Sequence, residues 1–395
     1  MNRKTVVVLI ITAFIVFIFC LMLSKISLDK IEQNKTVEIT VAEDDTSYSF
    51  YNESIKLNNV FYNGKPLLLD NNTGIVYFPA SELYLIDDTA EERINGNVVD
   101  CVVIYKDEKY ISFSSMENYL GYNIFQDQNE LWYIDNFETF DYSWVSENQV
   151  VAHALGGVDS RTYTDCEEAL VCSYERGCRV FEVDFLMTSD GVPVLGHDWK
   201  KFYKITGRNG ELPSDGSQPP ALSYEEYVNS VIYNEYTPLT VERLAEYMVE
   251  YPDMYIITDT KSVEDPDVSI IFNSISNILR DKDESILDRV IPQIYNNEML
   301  NIIMKVYDWK SVVYTLYNLP DNLSYDDVFN FAYENGIRVI TCSSSRGDYD
   351  FINEINMIGG HVYMHTINEV SVYNELMEKK GIYGIYSDFI SPSDI

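Results

Sequence analysis

The sequence predicts an α/β protein, a TIM-type (β/α)8 barrel preceded by a transmembrane signal anchor and a small α+β module. Three observations support this prediction. Apolar β-branched runs alternate with amphipathic segments from residue 148 onward, an apolar run lies close to the N-terminus, and short strand-like runs lie between them. The predicted domains are an anchor at 1–24, a stalk at 25–48, the module at 49–140 and the barrel at 148–395.

Composition and charge narrow the classes of function. The chain carries 63 acidic and 28 basic residues, a net charge of −35, and so lacks the basic field with which proteins bind nucleic acids. This charge also gives no long-range attraction for an anionic substrate, so any phosphate must be held by local cations, and a bound divalent metal is the obvious candidate. Solubility alone explains an acidic surface equally well.

The N-terminal segment has the pattern of a membrane anchor. Arg3 and Lys4 precede an uncharged, largely apolar run at 6–23, which as a helix is about 27 Å long and just spans a hydrocarbon core. A cleaved signal peptide is the alternative, but no small-x-small cleavage site follows the run. We therefore predict a single-pass protein of the cell membrane. Because the positive flank stays inside, the rest of the chain is expected to be extracytoplasmic.

The module at 49–140 combines short strand-like runs with one short helix, predicted at 114–120. It distantly resembles the copper-amine-oxidase N-terminal-like modules of secreted bacterial proteins. The stretch contains no histidine, so no copper site is expected in it. The resemblance rests on Asn63-Gly64-Lys65-Pro66, Phe78-Pro79-Ala80, Tyr119-Leu120-Gly121-Tyr122 and Trp132.

The barrel region is predicted from eight β-branched runs with helix-like stretches between them, in a length typical of a TIM barrel. In that fold, chemistry takes place at the C-terminal ends of the strands, so polar residues at those ends are the candidate site. The predicted strands are 150–152, 180–185, 255–258, 290–294, 312–316, 337–341, 361–364 and 384–386.

Carboxylates at these strand ends predict a metal site. Glu182 and Asp184 stand two residues apart on one strand, so their side chains point to the same face. Inside a barrel they would repel each other unless a cation lay between them, and Asp259 on the next strand offers a third oxygen ligand. Oxygen ligands of this kind suit Ca²⁺ or Mg²⁺. Lys261, again two residues on, is expected to hold a phosphate as a point charge.

Two of the four histidines lie beside these acids. His153 follows the first strand, and His197 follows a hairpin at 188–191. If Asp190 and Gly191 are the two central turn residues, strand pairing places His197 opposite Asp184 and on the same face. Two imidazoles that flank a metal-held phosphate are what acid–base cleavage of a phosphodiester requires.

Other polar residues near the strand ends have two readings. Gln293 on the fourth strand either binds substrate or phosphate, or is a buried hydrogen-bonding residue. His361 and His365 are interpreted as structural, although His365 lies at a strand end from which it could contact substrate. Each of these residues alone is weak evidence, whereas the whole set is specific.

This ordered set resembles the glycerophosphodiester phosphodiesterase family over about 148–392. The resemblance implies a TIM barrel, an acid–base pair at His153 and His197, and a phosphate contact at Lys261. It also implies metal ligation by Glu182, Asp184 and Asp259, and attack on phosphorus by a glycerol hydroxyl followed by hydrolysis of a cyclic phosphate. The matching elements are 151–157, Glu168-Ala169, Gly177, 181–184, 188–194, His197-Asp198, Pro238-Leu239-Thr240, 258–261 and 384–388.

Two positions depart from the family pattern. Ala154 stands where the family has an arginine after the first histidine, which removes a bidentate phosphate clamp, and Asp259 replaces a glutamate. Lys200, Lys201 or Arg161 are the residues that could compensate.

The function predicted is a metal-dependent phosphodiesterase that hydrolyses glycerophosphodiesters, or lipid headgroups or polymers linked by glycerol phosphate. One alternative is a phospholipase C-like or D-like enzyme acting on intact lipid. The other is a non-catalytic protein that binds the cell wall or lipid and has kept the barrel.

Overall fold

The computed structural model describes residues 37–42, 45–51, 53–90, 101–126, 130–317, 319 and 323–395. These form two compact units, one ending at Phe137 and the other spanning Glu138–Ile395. The predicted anchor at 1–24 lies outside the described residues. Among the residues that are described, no helix is long and apolar enough to cross a membrane.

Among its described residues, the first unit contains two sheets and the α-helix α1 (Phe113–Leu120). Ser112 begins the helix by accepting a hydrogen bond from the Ser115 N–H, and Gly121 ends it at a φ of 68°. One sheet has the order β1-β7-β8-β6-β5-β2 and the other β4-β3-β10-β9. The strands are β1 (Val37–Val41), β2 (Tyr48–Tyr51), β3 (Ile55–Leu57), β4 (Val60–Tyr62), β5 (Leu67–Asp70), β6 (Val76–Pro79), β7 (Cys101–Tyr105), β8 (Glu108–Ser112), β9 (Asn123–Gln126) and β10 (Trp132–Asp135).

The stretch predicted as a stalk contributes to this unit. Its residues 37–41 form β1, which pairs in parallel with β7. Val37, Ile39 and Val41 alternate there with Glu38 and Thr40, which is a strand pattern that the polar composition of the whole stretch conceals.

The second unit is a closed parallel barrel. Its strands run in the circular order β11-β12-β14-β15-β16-β17-β18-β19, and β19 pairs back with β11. All eight predicted strands are confirmed. They are β11 (Val150–Ala152), β12 (Val180–Met187), β14 (Tyr255–Asp259), β15 (Val290–Ile294), β16 (Val313–Thr315), β17 (Val339–Ser343), β18 (His361–His365) and β19 (Gly384–Ser387), with β13 (Pro193–Leu195) antiparallel to β12 outside the ring.

Helices connect most of the strands and cover the barrel. Their capping residues are those that the helix-start rules predict, for example Thr240, Asn296 and Asp348, whose side chains accept hydrogen bonds from backbone N–H groups in the first turn. The helices are α2 (Glu167–Glu175), α3 (Trp199–Ile205), α4 (Tyr224–Val228), α5 (Val241–Glu250), α6 (Asp267–Lys282), α7 (Asn297–Ile303), α8 (Tyr325–Glu334), α9 (Tyr349–Met357) and α10 (Val370–Lys380).

The hairpin between β12 and β13 differs from the prediction by one residue. The Thr188 N–H donates to the Val192 carbonyl, and the Val192 N–H donates to the Thr188 hydroxyl. The loop therefore has three residues that end at Gly191 with a φ of 80°. As a result Gly196, not His197, lies opposite Asp184, and its N–H donates to the Asp184 carbonyl over 2.9 Å. A shift of one residue would turn His197 to the other face of a regular strand. The strand ends at Leu195, however, and Gly196 has a φ of 154°, so His197 still reaches the barrel mouth.

Candidate active site

The polar layer of the barrel mouth follows from a single sequence rule. On every strand, a residue of the buried apolar cluster is followed two positions later by a polar residue. Because side chains repeat their direction every second residue, the second set faces the same interior one layer higher. The pairs are Val151 and His153, Val180 and Glu182, Ile257 and Asp259, Ile291 and Gln293, Val313 and Thr315, Val339 and Thr341, Tyr363 and His365, and Tyr386 and Asp388.

This layer forms the floor of a pocket at the C-terminal ends of the strands. The pocket encloses about 560 Å³ including its open mouth. Six of the seven residues that the sequence selected line it, and the seventh, Asp184, contacts the lining residue Lys261. The six are His153, Glu182, His197, Asp259, Lys261 and Gln293.

Two carboxylates that line this pocket and a third directly behind it form a candidate metal centre. Glu182, Asp184 and Asp259 each offer one oxygen, and these oxygens lie within 4.8 Å of one another. Glu182 and Asp184 are almost completely buried, and neither oxygen of Asp184 has an aligned hydrogen-bond partner among the described residues. Burial raises the pKa of Glu182 well above its ordinary value, and the charges of Asp184 and Asp259 raise it further. Such a donor set fits Ca²⁺ or Mg²⁺, because a bound cation would remove this mutual repulsion.

Lys261 neutralises part of this charge. Its Nζ lies 2.8 Å from Asp184 Oδ1 and also contacts Asp259 Oδ2. Burial lowers the pKa of Lys261, but the attraction of Asp184 and Asp259 outweighs it, so the pKa lies above the usual value. The ammonium is therefore charged, and it lies beside the atoms that would ligate a cation.

His153 is held by a carboxylate from the other end of the chain. Its Nδ1 lies 2.9 Å from Asp388 Oδ1, and the side chain of Asp388 is only 5% exposed. Asp388 in turn accepts a hydrogen bond from Asn368 Nδ2 at 2.7 Å and donates its backbone N–H to Asn368 Oδ1 at 2.8 Å. Since a carboxylate accepts, Nδ1 carries the proton and Nε2 is left as the basic nitrogen.

His197 is supported in the same way by Asp198, the next residue in the chain. Its Nδ1 lies 2.7 Å from Asp198 Oδ2, and the other oxygen of Asp198 caps helix α3 by accepting from the Lys201 N–H at 2.7 Å. The hydrogen bond from His197 lowers the pKa of Asp198 to about 2, so this carboxylate stays ionised at neutral pH. Both imidazoles therefore use Nδ1 for support and keep Nε2 for chemistry.

The rest of the pocket wall includes a tyrosine, Tyr163, and a third histidine, His365, neither of which the sequence selected as a site residue. The Tyr163 ring lies between the two imidazoles, with ring centroids 4.7 Å from His153 and 4.9 Å from His197. His365, which was interpreted as structural, also lines the pocket. Burial and the neighbouring His153 lower the pKa of His365 to about 4, so it is neutral at physiological pH.

Asp165 is a further buried carboxylate beside the candidate metal centre. Its Oδ1 accepts the backbone N–H of Asp184 at 3.3 Å, and its Oδ2 has no hydrogen-bond partner among the described residues. Burial raises its pKa well above the ordinary value, as does repulsion from Asp184 and Glu182. Asp165 has a φ of 44° and Tyr163 one of 54°, and such irregular turns carry no periodic signal by which the sequence could have revealed them.

Ala154, which stands where the family has an arginine, lies in the interior of the barrel unit. Ala154 is completely buried at a φ of 48°, and its N–H donates to Glu182 Oε2 over 2.7 Å. The backbone there positions a candidate ligand, and the side chain supplies no charge. Gln293 is buried and accepts a weak hydrogen bond from Thr341 Oγ1 at 3.5 Å, while its side chain also lines the pocket.

Comparison with solved structures relates this geometry to a known fold. The chain is similar to proteins from Silicibacter pomeroyi (TM-score 0.52, 15% identity, 62% of this chain and 91% of the other) and Galdieria sulphuraria (0.50, 16%, 61% and 94%). Both are assigned as glycerophosphodiester phosphodiesterases. It is also similar to an Oleispira antarctica phosphodiesterase solved with its product, sn-glycerol-3-phosphate (0.50, 17%, 64% and 96%). The chain thus has the fold of the glycerophosphodiester phosphodiesterases, as the sequence resemblance predicted.

Comparisons at the sequence level add little. No protein-family model matches the chain. A stretch of 74 residues is 38% identical to the omega subunit of DNA-directed RNA polymerase from Thermotoga petrophila, covering 89% of that protein. Because it covers only 18% of this chain, the match is too short to span the barrel.

Proposed function

We propose that this chain is a metal-dependent phosphodiesterase that hydrolyses glycerophosphodiesters with two imidazoles as its acid–base pair. One observation carries the proposal. His153 and His197 each donate Nδ1–H to a carboxylate, line one pocket, and share it with a cluster of three carboxylate ligands. A site that only bound its ligand would not require two basic nitrogens of this kind beside a cation centre.

The proposed chemistry assigns a role to each group. A divalent cation held by Glu182, Asp184 and Asp259 would polarise a phosphoryl oxygen and offset its charge. One imidazole takes at Nε2 the proton of the glycerol hydroxyl that attacks phosphorus. The other enters the step protonated at both nitrogens and gives its Nε2 proton to the leaving alkoxide. Water then opens the cyclic phosphate with the two roles reversed. Lys261 remains protonated and contributes a fixed positive charge to the phosphate.

The substrate proposed is a glycerophosphodiester or a glycerol-phosphate-linked lipid headgroup or polymer. The shared fold, and the product bound to the Oleispira antarctica protein, support this choice. The strongly negative net charge disfavours polyanionic polymers relative to zwitterionic diesters such as glycerophosphocholine.

We also propose an extracytoplasmic location, with attachment to the cell membrane through residues 1–24. Support comes from the basic flank and the apolar run of that segment. Fractionation of cells that express the chain with and without 1–24 tests the attachment, and recovery of both forms in the soluble fraction would refute it.

Hydrolysis by the full chain in detergent tests the function. Glycerophosphocholine, glycerophosphoglycerol, a glycerol-phosphate polymer and intact phosphatidylcholine are incubated with Mg²⁺, with Ca²⁺ or with chelator. Release of glycerol phosphate from a diester only when metal is present supports the proposal. Cleavage of intact lipid alone identifies a phospholipase, and a folded protein without turnover on any substrate refutes the enzyme and leaves a binding protein.

A further inference from the structure

The side chains around the pocket carry more negative than positive charge, which is unfavourable for binding a phosphate. Glu182 and Asp259 line it, and Asp184 lies directly behind. The only cation among the lining residues that the structure describes is Lys261, and its ammonium is already paired with both Asp184 and Asp259. A phosphodiester entering this pocket therefore needs positive charge from outside the pocket lining as well as from a metal.

The sequence offers three basic residues as candidates for that role, and two of them already have a partner. Lys200 Nζ donates to the carbonyl of Gly216 at 2.7 Å. The Arg161 guanidinium lies 3.9 Å from the centroid of the Tyr233 ring, a close stacking contact. Both partners, Gly216 and Tyr233, lie outside the pocket lining.

Lys201 is the third candidate cation, and unlike Lys200 and Arg161 it contacts a residue of the pocket lining. Its Nζ lies 5.2 Å from the centroid of Tyr163, the ring that separates His153 from His197. The residues that the structure describes place no carboxylate within ion-pair distance of this ammonium. Lys201 is half-buried, and its backbone N–H is fixed on Asp198, the residue that supports His197.

We propose that Lys201 is the second phosphate-binding cation of this site and determines its affinity for anionic phosphate groups. The inference rests on the proposed function for the choice of ligand. Lys201 supplies the positive charge that the family's arginine would supply at position 154, where this chain has a buried alanine. An ammonium on a flexible stem binds phosphate as a point charge, so it needs no planar bidentate fit. The cation–π contact with Tyr163 holds the ammonium beside the ring that separates the two imidazoles until a phosphate oxygen draws it inward.

Binding of sn-glycerol 3-phosphate tests this inference without requiring turnover. Calorimetry with the full chain in detergent and Mg²⁺ compares the wild type with Lys201→Met, Lys201→Arg and the adjacent control Lys200→Met. We expect Lys201→Met to raise the Kd about tenfold, the weakening that follows from losing one charge-assisted contact. Lys201→Arg should restore binding to within about threefold, and Lys200→Met should change it less than twofold.

The outcomes separate this inference from the proposed function. A Kd that is unchanged in Lys201→Met, or equally weakened in Lys200→Met, overturns the role of Lys201, as does a wild type that binds no sn-glycerol 3-phosphate. Thermal melts of the three variants check that they are folded. A wild type that binds through Lys201 but hydrolyses no diester refutes the enzyme and leaves the phosphate site standing.

Discussion

The support of His153 by Asp388 leads to a quantitative prediction for Asp388→Asn. The Nδ1–Oδ1 distance is 2.9 Å, and the carboxylate is 5% exposed, so water cannot replace it. A hydrogen bond to a charged group in such a setting is worth about 1.5–3 kcal/mol. An amide keeps the shape of the side chain, but it removes the charge that stabilises a protonated imidazole and can present N–H to Nδ1. We therefore expect kcat/KM to fall about 10- to 150-fold.

The matched comparison is Asp198→Asn, which alters the same support at His197. Asp198 is 31% exposed, so water partly compensates and the loss should be smaller. The assay is steady-state hydrolysis of the diester that the wild type cleaves, with Mg²⁺ saturating and melting temperatures measured in parallel. A fall of less than fivefold in a folded Asp388→Asn protein would show that Asp388 does not support catalysis through His153.

Two further predictions concern the metal centre and pH. Excess Mg²⁺ or Ca²⁺ should stabilise the wild type by about 2.7 kcal/mol at a concentration 100 times the Kd. Thermal melts with and without metal should show a smaller gain in Glu182→Gln and Asp184→Asn than in the wild type, and an unchanged gain in the surface variant Glu168→Gln. An equal gain in the wild type and all three variants would contradict the assigned ligands. Because the folded-state pKa of His365 lies at about 4, below its unfolded value of 6.5, its contribution to stability is complete above pH 6.5 and is lost as the pH falls through 4. The loss amounts to about 3 kcal/mol, and urea midpoints between pH 7 and 4 should fall less steeply in His365→Asn, whereas identical slopes would refute this assignment.

The barrel and the cluster of three carboxylates at its mouth could be predicted because both follow a local period. Parallel buried strands are continuous apolar runs, and Glu182 and Asp184 stand out within one because charges there require a partner. The same two-residue repeat places Asp259 and Gln293 one layer above the apolar core, so sequence spacing alone brings them to the mouth.

The parts that could not be predicted depend on contacts distant in sequence or on irregular backbone. Asp388 reaches His153 across 235 positions, and only closure of the barrel brings them together. Tyr163 and Asp165 lie in a turn with positive φ values, where side-chain direction follows no period. The hairpin register was wrong by one residue because a two-residue and a three-residue loop share the same Asp-Gly signal.

The most direct test of the central claim is the kcat/KM of His153→Ala, His197→Ala and the double variant with Mg²⁺ present. If the two imidazoles act as one acid–base pair, each single variant should lose about 10²–10⁴-fold, and the double variant should lose much less than the product of the two losses. If either folded single variant keeps more than a tenth of wild-type activity, cleavage does not depend on the pair and the proposed mechanism is wrong.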